Sequence, residues 1–474
     1  MDIQSIQPFV QKKWDESIVS ELVEYIKIPN KSPLYDRDWE ANGYMEAAVA
    51  QLAGWAEKQG VAGMQLEIVR LPGRTPLIFM EVPGAGEHTL IMYGHLDKQP
   101  EMAGWEPDLG PWKPVLRGDK LYGRGGADDG YALFASLTAL AALQRAGIAH
   151  GRCVILIEAC EESGSADLPY YVTHLAERIG TPDLVICLDS GCGNYDQMWL
   201  TTSLRGNIGG TLHVDVVSEG IHSGDASGIV PSSYRILRQL LDRLEDAKSG
   251  QILPRQFHCQ IPEQRVEQAR LCAQTLGGDV AGKFPFLDGV RPVSDDTLEQ
   301  VLNRTWRPTL CYTGSEGLPG LDNAGNVLRP GSALRLSLRL PPLVDGEQAT
   351  RELQQILEAD PPYGAHVRFE PEAGASGWNA PLLSPWLEAS ADAASQMFFG
   401  RKAVYMGEGG SIPFMAMLGE KFPQSEFLIT GVLGPKSNAH GPNEFLHIPT
   451  GKRLTCCVAK VIADHHRNKG NLDG

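Results

Sequence analysis

Apolar positions recur at helical spacing near the start of the chain. Ile18, Val19, Leu22, Val23 and Ile26 do so up to Pro29, and Met45, Val49, Leu52 and Trp55 up to Gly60, predicting two amphipathic helices. Short β-rich runs follow at Leu66 to Val69, Leu77 to Val82 and Leu90 to Tyr93. An apolar stretch, Tyr131 to Leu143, suits a buried helix, and further strands are expected at Cys153 to Ile157 and Leu184 to Leu188. Helices alternating with short apolar strands predict a mostly parallel α/β sheet covered by helices. Beyond Arg205-Gly206-Asn207 the pattern changes. Leu212, Val214 and Val216 alternate with polar neighbours, Ile236 to Leu244 repeats as a helix, and a long stretch that reads as irregular leads to a strand near Thr309 to Tyr312. In the next strand Leu334, Leu336, Leu338 and Leu340 face one way and Arg335, Ser337 and Arg339 the other, before a helix from Glu347 to Leu357 and a strand from His366 to Phe369. The order β-α-β-β-α-β predicts an α+β domain of ferredoxin-like type. Around Pro381 the first style resumes with a helix through Met397, strands near Ala403 to Tyr405 and Phe427 to Ile429, and a last helix over Arg453 to Ala463. The expected division is residues 1–207 and 381–474 for one domain, with residues 208–380 inserted into it.

Length agrees with this division, because 474 residues exceed what one hydrophobic core usually serves. The formal charge of −16 argues against nonspecific binding to nucleic acid or to an anionic membrane. Met1 to Trp14 lacks the apolar core of a secretory segment, and Tyr131 to Leu143 is too short to span a bilayer. The nine cysteines are scattered without a CxxC pair, so reduced thiols in a cytoplasmic protein are expected. Cys160 reads as a small packed residue rather than a nucleophile.

Glu161 and Glu162 end the Cys153 to Ile157 run and precede Ser163-Gly164-Ser165. Placing two carboxylates there is costly unless a cation or hydrogen bonds receive them. His95 and Asp97 lie two apart on an extended segment, so Asp97 can orient the His95 imidazole. Asp128 or Asp129 is suited to cap the following helix. Yet His95, Asp128, Glu162, Asp189 and His440 all fall at strand or loop ends of one sheet, where the ligand crevice of such sheets opens. Two histidines with three carboxylates suit a pair of zinc-like divalent ions bridged by a carboxylate.

Together, Gly94-His95-Leu96-Asp97, Tyr122-Gly123-Arg124-Gly125 with Asp128-Asp129, Glu161-Glu162-Ser163-Gly164-Ser165, Leu188-Asp189, His222-Ser223-Gly224, Glu408-Gly409-Gly410-Ser411-Ile412-Pro413 and His440 with Asn443-Glu444 resemble the M20 family of metallopeptidases, above all its carnosinase-like dipeptidase branch. The resemblance implies a zinc-peptidase type of catalytic domain with the inserted domain as lid and dimerisation unit. It implies two divalent ions, zinc first and manganese or cobalt as alternatives, held by His95, Asp128, Glu162, Asp189 and His440 with Asp128 bridging. Glu161 is then the general base and Asp97 the support of His95. His222 resembles the lid histidine that reaches a partner subunit's site and stabilises the oxyanion, which implies a homodimer; its alternative is a surface residue. Arg339 resembles the arginine that binds a substrate carboxylate, beside the Gly409, Gly410 and Ser411 loop; its alternative is an exposed sheet arginine. The chain departs from the family where Gly130-Tyr131 replaces a lysine after the second aspartate, and where Met406-Gly407 replaces an arginine before Glu408. The aspartate at 189, where carboxypeptidase and desuccinylase relatives resemble one another in using glutamate, favours a dipeptidase or aminopeptidase-like substrate. The expected function is hydrolysis of the amide bond in dipeptides or small amino-acid conjugates. The alternatives are an N-acyl-amino-acid deacylase or carboxypeptidase, and a noncatalytic binding protein that retains the fold.

Overall fold

The computed structural model describes residues 3–410 and 413–470. Two compact units make up the chain: one runs to Thr201 and resumes over Ala380–Met406 and from Met417, and the other holds Thr202–Asn379 with Gly407–Ala416.

The first unit is built on a six-stranded sheet in the order Gln65–Val69, Leu77–Val82, Arg152–Glu158, Thr89–His95, Leu184–Cys187, Glu426–Ile429. The last four strands are mutually parallel, and the first two join them antiparallel at one edge. Every residue of Thr89–His95 and of Leu184–Cys187 is buried, as strands covered on both faces require. Helix Tyr131–Arg145 explains part of that cover, since Tyr131 to Leu140 is buried without interruption. It packs with the long helix Ile448–Gly470, which extends beyond the Arg453 to Ala463 segment that periodicity marks. The parallel strands end at His95, Glu158, Cys187 and Ile429, so the loops that follow them emerge along one edge.

The second unit has a four-stranded antiparallel sheet in the order Thr309–Glu316, Gly331–Leu340, Gly206–Asp215, His366–Pro371. With helices Ser233–Leu241 and Gly346–Glu358 this is the expected ferredoxin-like arrangement. Leu336, Leu338 and Leu340 are buried against Ile236, Leu237, Leu240, Leu353 and Leu357, which is why the leucine face of that strand alternates so cleanly. The stretch expected to be irregular instead contains three helices, Glu263–Leu276, Asp279–Gly282 and Thr297–Thr305, joined by irregular segments. No described helix is long and apolar enough to cross a membrane.

Candidate active site

Seven of the residues singled out in the sequence meet in the first unit. His95 is the last residue of its strand, Glu161 and Glu162 form a tight turn three residues beyond Glu158, and Asp189 stands two beyond Cys187. His95 Nε2 lies 3.3 Å from Asp128 Oδ1 and 3.7 Å from Asp189 Oδ2. On the other side of the same carboxylate, His440 Nε2 lies 3.1 Å from Asp128 Oδ2 and 3.3 Å from Glu162 Oε2. Asp128 therefore sits between two imidazoles.

Two sets of donor atoms are close enough to share a cation: His95 with Asp128 and Glu162, and His95 with Glu161 and Asp189, each set within 4.8 Å. Glu162 is buried and Glu161 half-buried, so the second acid is enclosed while the first is reached from solvent. Glu162 Oε1 and Asp129 Oδ1 are buried without a hydrogen-bond partner among the described residues.

Local backbone explains these positions. A Cβ at position 94 would meet the Ala132 Cβ at 2.4 Å and Asp129 Oδ2 at 2.8 Å, so only glycine lets this strand pass so close to the start of the helix. Neither Asp128 nor Asp129 caps that helix, which has no side-chain cap. Asp129 instead accepts the His95 backbone N–H at 3.3 Å. The His95 Nδ1–H donates to the backbone carbonyl of Asp97 at 3.1 Å, with the Asp97 carboxylate 3.5 Å away. That carboxylate accepts the backbone N–H groups of Glu161 and Glu162, both at 3.0 Å, and so fixes the turn carrying the paired acids.

Burial and mutual charge set the protonation. Burial pushes Glu161 and Glu162 well above the ordinary carboxylate range, reinforced by Asp189 for the first and Asp128 for the second. Burial likewise raises Asp189 and Asp129. Burial opposes charge on His95 too, but Asp189, Asp128 and Asp97 outweigh it and hold its pKa well above normal. For Asp128, burial is overcome by His440 and His95, and its pKa falls. So many acids crowded together fit a divalent cation, which keeps its carboxylate ligands ionised. Burial raises the Cys160 thiol to about 12, which leaves it unreactive at neutral pH.

The remaining expected site residues belong to the second unit. His222 is exposed, and its Nδ1 accepts the Gly224 N–H at 3.1 Å. Arg339 is half-buried on Gly331–Leu340, and burial lowers its pKa. Gly409 and Gly410 are held through their carbonyls, which accept from Arg205 Nε at 3.2 Å and from the Arg205 backbone N–H at 3.1 Å. Ser411 lies outside the described residues.

Gln99 and Glu158 have no individual sequence signal. Gln99 Nε2 donates to Glu162 Oε2 at 2.5 Å. Glu158, at its strand's end, accepts from the Tyr93 hydroxyl at 2.5 Å and the Ser165 hydroxyl at 2.8 Å, and burial raises its pKa to about 8. Arg124 pairs with Glu444 in the interior. For Glu444 the readable signal is a lone acid immediately before the apolar Phe445-Leu446.

Known proteins resemble the chain along most of its length. The cysteinylglycine-S-conjugate dipeptidase of Corynebacterium striatum is 26% identical over 451 residues, covering 90% of this chain and 91% of that protein. The solved dipeptidase Dug1p of Saccharomyces cerevisiae superposes with a TM-score of 0.77 at 21% identity, covering 98% of this chain and 99% of that one. Human carnosine dipeptidase 1 follows at 0.75 and 20%, covering 98% of each. At those identities the two structures speak for the fold alone. The sequence pattern of peptidase family M20/M25/M40 matches residues 91–464, a span that takes in every acid and histidine gathered at the site, and the chain belongs to that family.

Proposed function

We propose that this chain is a dinuclear-metal dipeptidase, hydrolysing the amide bond of dipeptides or small amino-acid conjugates. The observation that carries the reading is Asp128, whose two oxygens face His95 and His440 at 3.3 and 3.1 Å. Two divalent ions fit this donor set: His95, Asp128 and Asp189 would hold one, and Asp128, Glu162 and His440 the other. Imidazole and carboxylate donors without thiolate favour zinc, with manganese or cobalt as substitutes. What such ions supply when bound is polarisation of the scissile carbonyl and acidification of water.

The chain's own residues do the rest. Glu161, beside Glu162 but open to solvent, takes the proton of the attacking water and returns it to the leaving amine. Asp97 supports this by fixing the backbone of the turn from which Glu161 projects. Arg339 receives the substrate carboxylate with its planar fork, and Gly409 and Gly410 serve substrate binding with it. His222 acts from a partner subunit in a homodimer, donating to the oxyanion as it forms. Mixing inactive Glu161→Gln and His222→Ala chains tests that last role: shared dimers regain activity if His222 works across the interface, and stay dead if it works within its own chain.

A panel of unmodified dipeptides beside acetyl- and succinyl-amino acids, assayed with zinc, manganese and cobalt, tests the whole reading. Turnover of the free dipeptides is expected. Turnover of the acylated compounds alone would replace the proposal by a deacylase.

A further inference from the structure

Arg124 and Glu444 form the most completely buried arginine–carboxylate pair among the described residues, with side chains 1% and 0% exposed, yet neither belongs to the donor set. Arg124 Nη1 donates to Glu444 Oε2, and Arg124 Nη2 to the Gly441 carbonyl at 2.9 Å. The Gly125 N–H donates to Glu444 Oε1 at 2.9 Å, and the Gly123 N–H to the Glu444 carbonyl at 3.0 Å. Three consecutive residues ahead of Asp128 are thereby tied to the loop that carries His440, whose neighbour Gly441 is itself one of the acceptors.

The His440 loop needs such a tie. Asn438, His440 and Asn443 all have left-handed backbones, with φ of 53, 64 and 60°, a region that residues other than glycine populate sparsely. Stability alone is a weak reason for an ion pair in this place, because apolar residues of similar volume would hold the interior at least as well. A fixed fork between two loops has a better reason: it sets a distance.

We infer that Arg124 and Glu444 are positioning residues that hold His440 against Asp128 and Glu162, and so determine how tightly the His440 side of the centre binds its ion. The inference rests on the reading of His440 as a ligand. It is tested by zinc competition against a chromogenic chelator, in a cycle of wild type, E444Q, H440A and the double variant. E444Q is expected to weaken one zinc equivalent by about 10–100-fold, the loss typical of removing a partner that orients a ligand. In the H440A background it is expected to weaken binding no further, because the residue through which it acts is gone. A residue that served only the stability of the interior would give independent losses. Losses that multiply in the double variant, or wild-type affinity in E444Q, would overturn the inference. R124K, which keeps the charge but not the fork, goes through the same cycle and carries the test should E444Q fail to fold. A wild-type chain that binds no zinc, manganese or cobalt would instead sink the metal reading of the site.

Discussion

Glu161 and Glu162 are neighbours with the same side chain, and burial separates them. Glu162 is enclosed, with one oxygen engaged by Gln99 and His440, whereas Glu161 keeps access to solvent. Replacing Glu161 by Gln preserves shape and removes the proposed proton acceptor, so kcat is expected to drop by about 10²–10⁴ while both proposed metal equivalents remain by elemental analysis. Loss of an equivalent would make Glu161 a ligand rather than the base. Asp97→Asn leaves one oxygen to serve two N–H donors and turns an amide N–H toward one of them. A loss of about 2 kcal/mol or more is expected in urea titrations, together with a lower kcat. At this scale the sequence was legible wherever rare chemistry stood at a strand end: the paired acids, His95, Asp128, Asp189 and His440 could be listed before their meeting was seen. It was not legible where a partner is remote. Nothing local tells that Arg124 faces Glu444, and the i, i+2 spacing of His95 and Asp97 could not show that the Asp97 carboxylate is engaged by two backbone donors from the turn after another strand.

Elements were readable to the degree that large apolar side chains marked them. The leucines of Gly331–Leu340 and the uninterrupted run in Tyr131–Arg145 announced a half-buried strand and an enclosed helix. Helix Glu263–Leu276 escaped notice because its inner face is made of Ala269, Cys272 and Ala273 with the buried Arg265, a stripe too small in volume to read as amphipathic. Thr297–Thr305 did carry a signal: Asp296 caps it, accepting from the N–H of Leu298 and Glu299, and a Glu stands three residues on. The glycine-rich turn before Asp128 shows how an element boundary serves the site. Gly125 has φ 83°, and a Cβ there would lie 2.6 Å from Lys98 Cε. Gly125→Ala is expected to destabilise by roughly 2 kcal/mol or more by strain at positive φ and by displacing Lys98. Thermal unfolding checks the cost, and a variant as stable as the parent would show that the turn relaxes freely.

For the molecule as a whole, the proposed ions and one buried histidine are each expected to contribute to folding stability. Removal of metal by a chelator is expected to lower the unfolding temperature, since a ligand held at 100 times its Kd contributes about 2.7 kcal/mol; a scan unchanged by chelator and by added zinc would contradict this. Far from the site, His465 is fully buried, its two ring nitrogens have no hydrogen-bond partner among the described residues, and burial lowers its pKa to about 4. His88, Lys469 and His466 press the same way and Asp183 opposes them. The unfolded imidazole takes up its proton near pH 6.5, so the unfolded state binds more protons between about 6.5 and 4, and folding weakens across that window as pH falls, by up to roughly 3 kcal/mol. His465→Phe, which keeps a ring against Trp386, is expected to flatten the pH dependence of the unfolding temperature below pH 6.5; identical slopes would assign it elsewhere. The order of strands has a consequence of another kind. Glu426–Ile429 completes the parallel sheet beside Leu184–Cys187, yet roughly 240 residues separate the two in the chain, and His440 follows later still. At translation speeds of about 5–20 residues per second, the nascent polypeptide waits on the order of ten to fifty seconds with that sheet edge unpaired. Until residue 440 is made, Asp128, Glu162, Asp189 and His95 stand without their last histidine, so capture of the proposed ions is expected to be a late event, and chaperone demand should peak while the inserted segment is being made.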